Sequence, residues 1–147
     1  MERDLNTVLL DFIAESPSVY HVIENFAGML EAAGYTRLRE RERWTLVPGK
    51  GYYVTRAGSS MIAFRVPERE NWTGFRLSAA HSDSPCFKLK HSPELTGNGY
   101  LRLNTEKYGG MLMATWFDRP LSIAGRVLVR ESGTLTSGSW SLTATCW

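Results

Sequence analysis

The stretch that decides the fold runs from Tyr52 to Val66 and reads YYVTRAGSSMIAFRV. Its two ends, Tyr52–Val54 and Met61–Val66, contain aromatic and β-branched residues of the kind that favour strands. Between them, Arg56–Ser59 contains the glycine and small polar residue typical of a turn. The sequence therefore predicts a β-hairpin, and the rest of the chain can be placed around it.

Two helices are predicted upstream of the hairpin. Apolar residues recur between Leu5 and Ile13 in a pattern compatible with a short helix whose apolar side packs inward. A second helix is predicted to begin at Ser16-Pro17-Ser18, because proline suits a first helical turn and either serine can accept an orphan amide hydrogen. Apolar residues follow from Val19 to Ala33 at helical spacing, and Gly34 stands where helices commonly end.

Short strands are predicted downstream of the hairpin. Phe75–Ala80 is expected to be a strand that ends in small residues and leads to His81. Beyond Pro85 the chain breaks into β-prone pieces joined by turns that contain glycine. These pieces are Phe87–Lys90, Tyr100–Leu103 and Ile123–Val129, with a bend at Tyr108-Gly109-Gly110. The change of pattern predicts a second structural unit that starts near His91.

The composition excludes the disordered, collagenous and coiled-coil classes of protein. The chain has 147 residues, 43% of them hydrophobic, and a formal net charge of +2. A chain of this length is expected to bury roughly two-thirds of its unfolded surface, enough for a self-standing core. Nucleic-acid binding is not expected, because polyanion-binding proteins gain affinity from clustered basic residues, whereas the arginines from Arg37 to Arg43 alternate with Glu40 and Glu42.

The cellular location is predicted from the cysteines and from the start of the chain. Cys86 and Cys146 form neither a disulfide framework nor a Cys/His cluster with zinc-finger spacing. The start, Met1–Asn6, is charged and no apolar run of signal-peptide type follows it. No apolar run approaches the length of a transmembrane span. We therefore expect a cytoplasmic protein with no membrane partner.

The residues most suited to chemistry are in Ala80-His81-Ser82-Asp83-Ser84-Pro85. If residues 79–83 are extended, His81 and Asp83 point to the same face, because strand side chains repeat every two residues. A metal-bound histidine uses such a carboxylate to fix its tautomer and raise its basicity. The motif therefore indicates half of a metal site, although His-x-Asp would arise by chance in a shuffled chain with a probability of about 0.08.

Other chemistries have less support in the sequence. Ser82 or Ser84 could be a hydrolase nucleophile, but the chain has no Gly-x-Ser-x-Gly elbow and no glycine-rich phosphate loop. His21 and His91 lack an acidic partner at a fixed short spacing and are interpreted as structural or solvated. The segment Trp116-Phe117-Asp118-Arg119 is interpreted as a buried aromatic beside an ion pair that organises a turn.

Four segments, taken in chain order, are more specific than any one of them. They are Ser16–His21, Tyr52–Phe64, Ala80–Cys86 and Tyr108–Val129. Together they resemble the aspartyl aminopeptidase family of zinc metallopeptidases. The resemblance extends over about residues 5–130, which is most of this chain and roughly the first third of a family member.

The resemblance implies both a fold and an activity. The expected fold is α/β, with residues 1–90 as the N-terminal part of a zinc-aminopeptidase catalytic domain and residues 91–147 as the beginning of an inserted β-rich assembly domain. The expected activity is removal of N-terminal residues, acidic ones in some members, from peptide substrates by a two-zinc, homo-oligomeric enzyme. His81 matches the histidine that binds one zinc, and Asp83 matches the acid that orients this histidine.

The resemblance also implies an incomplete site. The other ligands and the general base of family members lie in later segments that this chain lacks, so the chain is expected to be a truncated form that is inactive alone. Asp118 is not assigned to the metal, because it belongs to the family's Trp-Phe-Asp-Arg segment. Residues 136–147 depart from the family pattern and are expected to be an atypical tail. The alternative function is a non-enzymatic assembly or interaction module derived from the family.

Overall fold

The structure is a computed structural model that describes residues 4–69 and 71–143, with side chains described as far as residue 141. In the described residues two α-helices precede all of the strands, which agrees with the predicted mixture of helix and strand. The elements in chain order are α1 (Leu5–Ala14), α2 (Val19–Ala32), β1 (Thr36–Leu38), β2 (Gly51–Arg56), β3 (Ser60–Arg65), β4 (Cys86–Gly97), β5 (Tyr100–Tyr108), a 3-10 helix (Met113–Trp116), β6 (Ser122–Glu131) and β7 (Thr134–Thr143). The end of the predicted atypical tail, residues 144–147, lies outside the described residues.

The predicted hairpin is confirmed and forms two strands of a three-stranded sheet, with β2 at its centre. β2 pairs antiparallel with β3, so that Tyr53 lies opposite Ala63. On its other side β2 pairs in parallel with β1, which the sequence did not predict. The turn between β2 and β3 places Ala57 and Gly58 in the left-handed region, with φ of 53° and 68°.

The second predicted helix is also confirmed as α2. Its end is a Schellman motif, in which the amide of Gly34 bonds to the carbonyl of Glu31 and the amide of Tyr35 to that of Leu30. Gly34 has a φ of 81°, which a glycine adopts without the steric penalty of a side chain. The expected serine cap is wrong, because no side-chain hydroxyl caps α2 and Ser18 Oγ instead lies 2.7 Å from His21 Nδ1 in a hydrogen bond.

The core is smaller than the length of the chain predicted. Among the described residues, the buried hydrophobic side chains are those of Ile23, Tyr52, Tyr53 and Val54. α1 is confirmed as a helix, and its expected inward packing is present only in part: Phe12 packs on Phe26 of α2, with ring centroids 4.7 Å apart, whereas none of its residues is fully buried and Leu5 is 82% exposed. These four buried residues fall well short of the self-standing core that we expected, because the described elements do not cover most of the apolar side chains.

The strand predicted at Phe75–Ala80 is absent. This segment has no regular secondary structure, and Phe75 and Leu77 are 78% and 93% exposed. A strand is defined by hydrogen bonds to a neighbouring strand, and no described strand pairs with this segment. The strand propensity of the sequence is therefore present without a pairing partner.

The predicted pieces after Pro85 form two long hairpins. β4 pairs antiparallel with β5, with Cys86 opposite Tyr108 at one end. The register shifts between Leu89, opposite Thr105, and Glu94, opposite Leu103, so that β4 carries extra residues in a bulge. The second hairpin joins β6 and β7, and β7 lies in the Ser/Thr-rich region where no strand was predicted.

The chain divides into two compact units. Of the described residues, the first unit comprises those from residue 4 to Ser82 together with Ile123–Leu142, and the second comprises Asp83–Ser122 and Thr143. The first division precedes the boundary predicted near His91, because position 91 lies within the continuous strand β4. The assignment of residues 1–90 and 91–147 to a catalytic and an inserted domain stays a prediction.

Candidate functional site

The segment that carries the candidate site residues is irregular backbone. No helix or strand is assigned from residue 72 to residue 85, so His81 and Asp83 lie on a segment without ladder hydrogen bonds. His81 is exposed, whereas Ser82 and Asp83 are half-buried. The assignment of His81 as a metal ligand and of Asp83 as its orienting acid stays a prediction that rests on the motif and the family resemblance.

The residue after His81 is attached to the first compact unit. Ser82 Oγ donates a hydrogen bond to the carbonyl oxygen of Ser59, at 3.1 Å, in the turn between β2 and β3. An activated serine nucleophile donates its hydroxyl proton to a base, whereas this hydroxyl proton is donated to a backbone carbonyl. This contact gives Ser82 a structural role and offers no support for the serine-hydrolase alternative.

Asp83 begins the second compact unit and is bound by the end of β5. The hydroxyl of Tyr108 donates a hydrogen bond to Asp83 Oδ2, at 2.5 Å. The hydrogen bond to Asp83, with the negative charge of that carboxylate, raises the pKa of the Tyr108 phenol. The sequence singled out Tyr108 only as part of a bend, and the pairing of Cys86 with Tyr108 is the signal that brings it to Asp83.

The glycine after Tyr108 packs against the same segment. Gly109 has a φ of 75°, and a Cβ at this position would lie 3.4 Å from atoms of Pro85. Two consecutive residues of the bend therefore lie beside this segment: Tyr108 bonds to Asp83, and Gly109 is close enough to Pro85 for an added Cβ to touch it. The stretch Asp83–Pro85 is held by contacts from a distant part of the sequence.

The other residues considered for chemistry have structural contacts. Trp116 is half-buried and packs edge-on against Phe87, with ring centroids 5.5 Å apart. Asp118 has a φ of 55°, and no ion pair joins it to Arg119. The expected ion pair in this turn is therefore wrong, whereas the packing of the aromatic side chain is present. His21 bonds to Ser18, in agreement with its structural interpretation.

A complete zinc centre does not fit the part of the chain that the structure describes. A catalytic zinc site uses three protein ligands and one open position. Within residues 4–69 and 71–143, no group of three or more His, Cys, Asp or Glu side chains is placed to hold a metal ion. The described residues therefore lack the set of three protein ligands that such a site needs.

The His-x-Asp motif lies within a region that matches a known family of zinc enzymes. Residues 12–141 match the family described as aminopeptidase I zinc metalloprotease (M18). The chain therefore belongs to the M18 aminopeptidase family, which includes aspartyl aminopeptidase. A probable M18 family aminopeptidase 2 of Pseudomonas paraeruginosa is 51% identical over 138 residues, and its counterpart in Azotobacter vinelandii is 48% identical.

The relatives are much longer than this chain. The matched region is 93% of this chain and 32% of the Pseudomonas paraeruginosa protein, so the chain spans about a third of the length of the curated relatives it matches. The mApe1 structure of Chaetomium thermophilum superposes with a TM-score of 0.86 at 37% identity, covering 92% of this chain and 32% of that one. The mApe1 dodecamer of Saccharomyces cerevisiae superposes with a TM-score of 0.81 at 31% identity, covering 95% of this chain and 34% of that one.

These structures support the predicted fold class. The chain is a mixed α/β fragment that corresponds to an N-terminal portion of the M18 fold. Neither described helix combines the length and the hydrophobicity needed to span a bilayer.

Proposed function

We propose that this chain is the N-terminal part of an M18 zinc aminopeptidase, and that it contributes His81 as one zinc ligand and Asp83 as the carboxylate that orients it. The observation that carries the proposal is the family match over residues 12–141, which contains the His-x-Asp motif. The substrates of the complete protein are peptides, from which it removes N-terminal residues, acidic ones among them. The proposal includes a cytoplasmic location and a homo-oligomeric full-length form.

We further propose that the chain is inactive alone. A complete zinc centre activates a water molecule, and this requires several fixed ligands and a base. The described residues provide no three-ligand group, so hydrolysis is assigned to a longer polypeptide. The role of this chain is limited to placing one imidazole and the carboxylate two residues after it.

The first experiment measures zinc content and hydrolysis of aspartyl and leucyl chromogenic substrates. Two proteins are compared: the 147-residue chain, and a chimera that joins it to the remaining portion of the Pseudomonas paraeruginosa relative. We expect the chain alone to hold no stoichiometric zinc and to be inactive, and the chimera to bind about two zinc ions and to be active.

Two histidine variants of the chimera complete the test. His81→Ala is expected to remove zinc and activity, whereas His91→Ala, in the bulge of β4, is expected to retain both. Stoichiometric zinc and chelator-sensitive activity in the chain alone would show that it contains a complete site. Full activity in the His81→Ala chimera would show that His81 is not a ligand.

A second candidate function is a non-enzymatic assembly module. It is favoured by the exposed apolar side chains of both hairpins, such as Leu101 in β5, 69% exposed, and Leu128 in β6, 67% exposed. This function would be favoured over the first if the chain bound intact M18 subunits while the chimera held no zinc and showed no activity. Activity of the chimera that depends on His81 would favour the enzyme.

A further inference from the structure

The candidate site has a neighbour that the sequence motif does not contain. The antiparallel register of β4 and β5 sets Tyr108, the last residue of β5, opposite Cys86, the first residue of β4. Because Asp83 lies three residues before Cys86, the end of β5 is brought beside the segment that carries the motif. The pairing of two strands therefore determines which residue reaches Asp83.

The contact between Tyr108 and Asp83 is directional. The Tyr108 hydroxyl donates to one carboxylate oxygen, Asp83 Oδ2. A carboxylate without fixed donors can rotate about its side-chain torsions, and a donor on a strand removes part of this freedom. Tyr108 is suited to the task because its ring has few torsions and its backbone is held in the ladder with Cys86.

The backbone on both sides of this contact is also constrained. Gly109 follows Tyr108 in the left-handed region, and a Cβ at this position would lie 3.4 Å from atoms of Pro85. Phe87, one residue beyond Cys86, packs edge-on against Trp116 of the 3-10 helix. The donor and the acceptor are therefore carried by segments that have other contacts within the same compact unit.

We propose that Tyr108 is a positioning residue that fixes the orientation of the Asp83 carboxylate. The proposal rests on the proposed function, in which Asp83 in turn orients His81, but the hydrogen bond itself requires no metal. Tyr108 acts only through Asp83 and needs no contact with substrate. The orientation of the Asp83 carboxylate matters because removal of the hydrogen-bond partner of a metal-bound histidine lowers metal affinity or activity by about 10- to 100-fold.

The test uses the 147-residue chain with carbon-13 in its tyrosine and aspartate side chains. The first measurement is the NMR titration of the Tyr108 ring signal, which Tyr108→Phe identifies. We expect Asp83→Asn to lower the titration midpoint of Tyr108, because it removes the negative acceptor. The matched control is Asp118→Asn, which removes an acid of the same compact unit and is expected to leave the midpoint unchanged.

The second measurement observes Asp83 itself. Three-bond couplings at neutral pH are expected to show a broader χ1 distribution of Asp83 in Tyr108→Phe than in the wild type. Tyr100→Phe removes the hydroxyl of a 72% exposed tyrosine in the same hairpin and is expected to keep the wild-type distribution. An unchanged Tyr108 midpoint in Asp83→Asn, or an unchanged Asp83 rotamer distribution in Tyr108→Phe, would overturn the proposal.

These measurements separate the two proposals, because neither depends on zinc or on hydrolysis. If the chimera is inactive while both NMR effects are present, the positioning contact stands and the proposed function fails. If the chimera is active and neither NMR effect is seen, the proposed function stands and the role of Tyr108 is refuted.

Discussion

The guanidinium carbon of Arg126 lies 4.7 Å from the centre of the Tyr20 ring, which is a cation–π contact between β6 and the start of α2. The same guanidinium donates a hydrogen bond through Nη1 to the carbonyl oxygen of Ala57, at 2.7 Å. A second link joins the hairpin to α2, because Ser139 Oγ in β7 bonds to Glu24 Oε1 at 2.8 Å. Side-chain contacts thus attach β6 and β7 to the first compact unit.

Arg126→Ala should destabilise this unit. It removes a cation–π contact worth about 0.5–1 kcal/mol at an exposed site, together with the hydrogen bond to Ala57. We expect the free energy of unfolding in urea to fall by about 1 kcal/mol. Arg130→Ala on the same strand is the control, because none of the described contacts involves Arg130. Equal effects of the two substitutions would show that the contacts of Arg126 are not stabilising.

Tyr53 should make stability depend on pH in the alkaline range. Its side chain is completely buried, and its hydroxyl donates to Glu31. Burial raises the pKa of the phenol, and the hydrogen bond and negative charge of Glu31 add to this effect. Because the neutral form is favoured in the folded state, the contribution of Tyr53 is complete below about pH 10 and is lost as the pH rises through the higher folded pKa.

The measurement is urea unfolding at neutral and at alkaline pH. Tyr53→Phe should lower stability by about 1 kcal/mol at neutral pH through the lost hydrogen bond and should weaken the alkaline loss. Tyr100→Phe is the exposed control and should retain the wild-type pH dependence. A Tyr53→Phe variant with the full alkaline loss would assign that loss to other groups.

Gly109→Ala should destabilise the protein more than Gly110→Ala. Gly109 has a φ of 75°, which costs a residue with a side chain about 1–2 kcal/mol, and the added Cβ would meet Pro85. Gly110 lacks a positive φ and has nothing within 4 Å of an added Cβ. We expect a lower melting temperature for Gly109→Ala than for Gly110→Ala in circular dichroism, and equal values would argue against the packing of this bend.

The chain should self-associate through exposed apolar side chains. Phe75 and Leu77 are 78% and 93% exposed, and contiguous exposed apolar surface promotes association. Replacing both by serine should reduce the association measured by sedimentation velocity, with little change in stability because neither side chain is buried. Arg76→Ser, between them, is the control. A monodisperse wild-type monomer with a sharp unfolding transition would contradict this prediction.

The sequence predicts the structure correctly where the determining signals are local. The periodicity of α2 and the glycine at its end lie within a few residues of one another, and the hairpin of β2 and β3 has its turn between its strands. Local signals failed for Thr36–Leu38 and for Phe75–Ala80, in opposite ways. The first has little apolar character and becomes β1 through parallel pairing with β2, whereas the second has strand propensity but no described strand beside it.

The candidate site shows the same division. His81 and Asp83 could be selected from the sequence because they form a short motif within a family resemblance. Tyr108 could not be assigned to Asp83, because their proximity depends on the register of β4 against β5. The alignment of His81 with Asp83 is predicted from strand periodicity and stays a prediction, because no strand is assigned to their segment.

The bulge in β4 makes the hairpin modular. Between Leu89 and Glu94 the residues Lys90 to Pro93 have no regular partners in β5, whereas the ladder is regular on both sides. A residue inserted or deleted within Lys90–Pro93 would change the size of the bulge and leave Cys86 opposite Tyr108. The tip of the hairpin can therefore vary in length or be exchanged for another sequence, while the end that holds Asp83 keeps its geometry.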